Sequence, residues 1–170
     1  MNEQELQGII ALAGKYNVIP VVRRLLADTE TPIRVFQHLS RDKRAFLLES
    51  VEGGAKWARY SFIGTDPFLV LRLKKNKLSL EQDGKLEHHV TDQPLQLLRE
   101  KLRSYRSPQI ADLPPFTGGA IGFFGYDLLQ YYERKLPPHG IDDLNMDDMQ
   151  FMFCDQVIVF DHFKQHVLVI

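Results

Sequence analysis

The stretch that most restricts how this chain can fold is residues 46–67, FLLESVEGGAKWARYSFIGTDP. Phe46, Leu47 and Leu48 run without alternation into Glu49-Ser50; Gly53-Gly54 then supply a turn, and residues 57–63 return as a second strand. An unbroken apolar triplet is the pattern of a strand covered on both faces. A carboxylate at the end of such a strand needs a partner, because burying it unpaired costs on the order of several kcal/mol. Arg59 on the returning strand is the nearest cation in sequence. A structural Glu49–Arg59 pair is therefore one expectation. The other is a small polar site for a ligand ammonium at Glu49, with Ser50 as a second hydrogen-bonding group.

The remaining segments predict hairpins with a few helices. Leu6, Ile9, Ile10 and Ala13 have helical spacing and stop at Gly14, so residues 1–15 form a helical extension ahead of a domain over 16–170. Thr31-Pro32 is a cap followed by proline at the first helical position, with Ile33, Phe36 and Leu39 on the expected buried face. Residues 68–73 and 78–81 pair about Lys75-Asn76, and Asp83-Gly84 turns the chain again. Pro94 opens a helix whose apolar residues are Leu95, Leu97, Leu98 and Leu102. Residues 150–160 and 166–170 form a last hairpin around 161–165. Hairpin-connected strands with few helices give an α+β fold, mainly antiparallel β-sheet. An apolar strand at 167–170 is an edge hazard where the chain stops, which suggests a fragment of something longer.

Several tempting motifs have plainer explanations. The glycines of GGAIGFFG (118–125) lack both the Gly-Lys-Ser/Thr of a phosphate loop and the G-x-G-x-x-G order, so they mark close backbone approach or twist in a strand. His162 and His166 are four apart, but across a turn that spacing does not make a zinc pair. His88-His89 point to opposite faces of any strand. Asp142, Asp143, Asp147 and Asp148 lack the glycine and final glutamate of a calcium loop and suit a solvated helix start. Cys154, the one cysteine, lies among apolar residues as a buried, inert thiol. No nucleophile–base set emerges, so the chain itself is expected to be catalytically inactive.

Composition limits the partners. The chain has 170 residues, 44% of them hydrophobic and 25% charged, with a net charge of −1. That balance offers no electrostatic reason for nucleic acid or an anionic membrane as partner. A lone cysteine, and an N-terminus with neither basic n-region nor apolar core, suit a cytoplasmic protein.

Four segments together resemble one family. LLES (47–50) followed by W-x-RYSFIG-x-D-P (57–67) is similar to the N-terminal domain of anthranilate synthase component I. So are Ile19-Pro20 with Asp28-Thr29 and Thr31-Pro32, FTGGAIGFFGYD at 116–127, and the closing strand from Asp155 to Asp161. The resemblance implies a regulatory domain that binds L-tryptophan as feedback inhibitor, through Leu48, Glu49 and Ser50. Physical argument adds Tyr60 and Ser61 on the facing strand, with Lys56 or Arg59 as candidate partners of the ligand carboxylate. It further implies a parent enzyme that converts chorismate to anthranilate and pyruvate, with ammonia from a glutamine amidotransferase subunit. Mg²⁺ would bind in a catalytic domain outside this chain, and no cofactor or metal is expected within it. The alternatives are the related aminodeoxychorismate synthase subunit of folate synthesis and a purely structural module.

Overall fold

The computed structural model describes residues 3–26, 29–49, 59–133, 135–136 and 141–170. The described elements run, in order, α1 (Glu3–Ala13), β1 (Arg23–Leu26), α2 (Pro32–Leu39), β2 (Ala45–Glu49), β3 (Tyr60–Thr65), β4 (Leu69–Lys74), β5 (Lys77–Gln82) and β6 (Lys85–Val90). They continue with α3 (Pro94–Ser104), β7 (Gly119–Phe124), a 3-10 helix (Tyr126–Tyr131), β8 (Met149–Cys154), β9 (Val157–Asp161) and β10 (His166–Val169). The strands make two five-stranded sheets in the orders β1-β10-β9-β3-β2 and β6-β5-β4-β8-β7. Every strand pair is antiparallel, so the α+β expectation holds. The predicted turn at Gly53-Gly54 and the start of the returning strand at Trp57 lie outside the described residues.

Turn chemistry sets the meander of the second sheet. Lys75 and Asn76 take φ of 45° and 61°, and Asp83 and Gly84 take 52° and 72°, as two-residue hairpins with positive φ at both central positions require. At Gly122 a Cβ would sit 1.9 Å from the Gln150 carbonyl oxygen, so this glycine marks the close approach of β7 to β8. One face of the sheet buries Leu69, Leu71, Leu73, Leu78, Met149 and Phe153 against Leu98 of α3 and Leu128.

Five expectations about local structure need correction. Residues 150–160 are not one strand, because the chain leaves the second sheet at Cys154 and re-enters the first at Val157. The cover on both faces of β2, the edge of the first sheet, stops before Leu48: Phe46 is buried on one face and Leu47 packs on the other, but Leu48, on the face of Phe46, is 43% exposed. β10 is no edge, since it lies between β1 and β9. In α2 the sheet-facing stripe is Pro32, Val35 and Phe36, an i, i+3, i+4 set that rotates Ile33 and Leu39 to the exposed flank. Thr31 does cap that helix, its hydroxyl accepting from the Arg34 N–H. Residues 142–148 do not start a helix. Asp142 instead accepts from the Asn145 N–H and pairs with Lys74, while Asp148 is buried.

Candidate functional site

The described members of the predicted set, Leu48, Glu49, Arg59, Tyr60 and Ser61, lie at one end of the first sheet, where β2 and β9 end and β3 begins. Register places Glu49 opposite Ser61, and Ser61 opposite Phe160, so these three side chains share one face. Leu48 pairs with Phe62 and Phe62 with Val159, on the other face, which Tyr60 also joins. The sheet therefore divides the expected set. Glu49 and Ser61 lie on the face that carries α2, with Val35, Phe36 and Leu47 packed around Ile63, Phe160 and Val167. Leu48 and Tyr60 lie on the face that packs Val159 and Leu168. Ser50 and Lys56 lie outside the described residues.

The expected Glu49–Arg59 pair is replaced by another. Arg59 grips Asp161 with two parallel bonds, Nε to Oδ1 at 3.0 Å and Nη2 to Oδ2 at 2.7 Å. Its guanidinium also lies 4.8 Å from the centre of the Tyr60 ring and 5.6 Å from that of Phe163. Asp161 is 5% exposed and takes further bonds from the Phe163 and Lys164 N–H groups. Burial pushes its carboxyl upward, but the Arg59 fork, the two N–H donors and the Arg59 charge outweigh burial and hold it below the usual carboxylate range. Arg59 thus serves the hairpin of β9 and β10 and is a poor candidate for a ligand carboxylate. Sequence reasoning missed Asp161 because the pair spans 102 positions and follows from strand pairing that no local pattern encodes.

Glu49 is left in a different state. It is exposed, and among the described residues no cation pairs with it. Its described contact is with the Ser61 hydroxyl, at 3.5 Å. Ser61 is 3% exposed, and its Oγ also lies 2.8 Å from His162 Nε2. The His162 ring stacks on Phe160 at 6.3 Å between centroids and 20° between planes. The His162 backbone N–H reaches the Arg59 carbonyl at 2.9 Å, extending the β3–β9 pairing. Serine, histidine and glutamate in contact resemble a hydrolase triad, but the order is wrong: Glu49 touches the serine, where a triad needs its carboxylate on the far nitrogen of the imidazole. The arrangement suits binding of a cation or ammonium group, not acyl transfer.

Burial pushes the Cys154 thiol up to about 11, in keeping with an inert side chain. Among the described residues, no three His, Cys, Asp or Glu side chains gather as a metal site, and no helix is long and apolar enough to cross a membrane.

Comparison with known proteins agrees with this architecture. No family model matches the chain. Curated relatives do: anthranilate synthase component 1 of Acetivibrio thermocellus is 42% identical over 165 residues, covering 97% of this chain and 33% of that protein. The Pseudomonas putida protein of the same name is 37% identical over 175 residues, covering 100% of this chain and 35% of that one. Among solved structures, anthranilate synthase component I from Streptococcus pneumoniae TIGR4 superposes with a TM-score of 0.51 at 28% identity, covering 87% of this chain and 31% of its own. The chain thus spans about a third of the length of the curated relatives it matches. By sequence and by fold, over nearly its whole length, this chain is a relative of anthranilate synthase component 1.

Proposed function

We propose that this chain is the N-terminal, regulatory portion of an anthranilate synthase component 1, and that it receives L-tryptophan at Glu49. The observation that carries this reading is the state of the two carboxylates at the end of the first sheet. Arg59 is committed to Asp161, so Glu49 keeps an exposed carboxylate that meets no described cation. A ligand α-ammonium is the partner such a group accepts, in a charge-assisted contact of about 1.5–3 kcal/mol. Ser61 supports Glu49; Ser50 belongs to the same proposal through the family resemblance, and Lys56 through its charge, as the remaining candidate partner for the ligand carboxylate.

In the whole protein the activity would be conversion of chorismate to anthranilate and pyruvate, with Mg²⁺ held outside this chain and ammonia delivered by a component II amidotransferase. Inhibition follows from linkage: tryptophan favours an arrangement that binds chorismate poorly, with a coupling of about 1–3 kcal/mol. Calorimetric titration of the 170-residue chain with L-tryptophan, with L-phenylalanine as control, tests the reading. Saturable binding of tryptophan alone supports it. Equal binding of both amino acids, or of neither, contradicts it.

A further inference from the structure

We propose that the cavity where the chain passes from the second sheet to the first binds a small aromatic amine. The site is separate from Glu49 and does not rest on the reading of that residue.

The cavity holds about 660 Å³, within the range of small-molecule sites. One wall is pinned in place. The Asn17 amide donates to the Ser104 carbonyl at 2.7 Å and accepts from the Arg106 N–H at 2.6 Å. The Asn17 and Val18 N–H groups both reach the Arg106 carbonyl, at 3.0 and 3.1 Å, so the segment ahead of β1 is clamped to the end of α3. A second wall carries no side chain. Gly118 and Gly119 take φ of 135° and 130°, a conformation that glycine alone adopts readily. A Cβ at Gly118 would stand 3.1 Å from the Cys154 carbonyl oxygen. The third wall is aromatic. Phe68, Tyr105 and Phe153 form a triangle with centroids 5.5, 6.1 and 6.3 Å apart. Phe68 and Tyr105 are only partly buried, which leaves ring surface for a planar ligand.

Charge selects the ligand. Among the described residues, Asp155 is the one charged side chain of the lining, and it is exposed, with no hydrogen bond or ion pair to a described residue. Lys101 stands 5.8 Å from the centre of the Tyr105 ring but outside the lining. Gln82, Ser107 and Thr117 add neutral polar groups whose side chains make no hydrogen bond to a described residue. A ring laid on the aromatic triangle with its ammonium toward Asp155 satisfies both parts of the site. A ligand carboxylate would meet the same acid with no base in the lining to offset it, so L-tryptophan is disfavoured here.

Calorimetry in Glu49→Gln, which lacks the acid at the end of the first sheet, tests the assignment with tryptamine and indole-3-acetate, one ring system with opposite charges. Tryptamine should bind saturably at one site, and indole-3-acetate at least roughly tenfold more weakly. Adding Asp155→Asn should weaken tryptamine roughly tenfold and narrow the gap between the two ligands. Val18→Trp should fill the cavity and abolish binding; if its urea midpoint shows that it does not fold, Ser107→Trp decides by the same criterion. No saturable binding of tryptamine, equal affinity for both ligands, or unchanged affinity in Asp155→Asn or in the folded tryptophan variant would overturn the proposal. So would binding that is lost in a longer protein containing this chain, since the cavity would then seat another part of that protein. None of these outcomes bears on the binding of L-tryptophan at Glu49.

Discussion

Asp148 and Asp161 are both buried, and the two sheets hold them by opposite means. Asp148, 6% exposed, is satisfied by neutral donors: the Lys75 N–H at 2.8 Å and the Tyr131 hydroxyl at 3.1 Å. Tyr131 in turn accepts from the Asn76 N–H at 2.6 Å, so one carboxylate and one phenol hold the β4–β5 turn. Asp161, 5% exposed, is satisfied by a full cation, the Arg59 fork, with two backbone N–H groups added. Either way the buried carboxylate has hydrogen-bond donors within the fold, and that makes it structural. Glu49 stands beside the second cluster, exposed and carrying one long contact. The comparison separates two acids that hold the fold from Glu49, the acid proposed to receive a ligand.

The comparison breaks most readily at Asp161. Asp161→Ala leaves the Arg59 guanidinium and two N–H groups without their acceptor and should cost about 3 kcal/mol, read from the urea midpoint. Asp148→Ala orphans one N–H and one hydroxyl but no charge. It should cost about 2 kcal/mol, and a loss larger than that of Asp161→Ala would invert the ranking. Acid titration sharpens the contrast further. The Asp161 carboxyl is held below its unfolded value of about 3.9, so its contribution is complete above that pH and fades as pH falls toward the lower folded value. In Asp161→Asn the stability lost below about pH 4 should be smaller than in the parent, as urea midpoints taken across that window would show. The smallest stability change belongs to Glu49→Gln, within about 0.5 kcal/mol of the parent.

What the sequence disclosed follows the range of each interaction. Lys75-Asn76, Asp83-Gly84 and Thr31-Pro32 were legible because a turn or cap is decided by the residues that form it. The break at Asp155 between β8 and β9 was not, since both flanks are apolar and a sheet switch leaves no periodicity of its own. The rotation of α2 was hidden because Ile33 and Leu39 satisfy a helical stripe as well as Val35 does. At the site, Glu49 and Ser61 were found together, while Leu48 and Tyr60 were placed with them although period-two alternation puts them across the sheet. Asp161 and His162 were missed, because pairing of β3 with β9 brings them in from about a hundred positions away.

The most direct test is to titrate the parent chain and Glu49→Gln with L-tryptophan side by side, each checked by its urea midpoint. The account predicts saturable binding in the parent, none in the variant, and midpoints that coincide. Unchanged binding in Glu49→Gln, or a midpoint lowered as far as in Asp161→Ala, would contradict it and make Glu49 another structural acid.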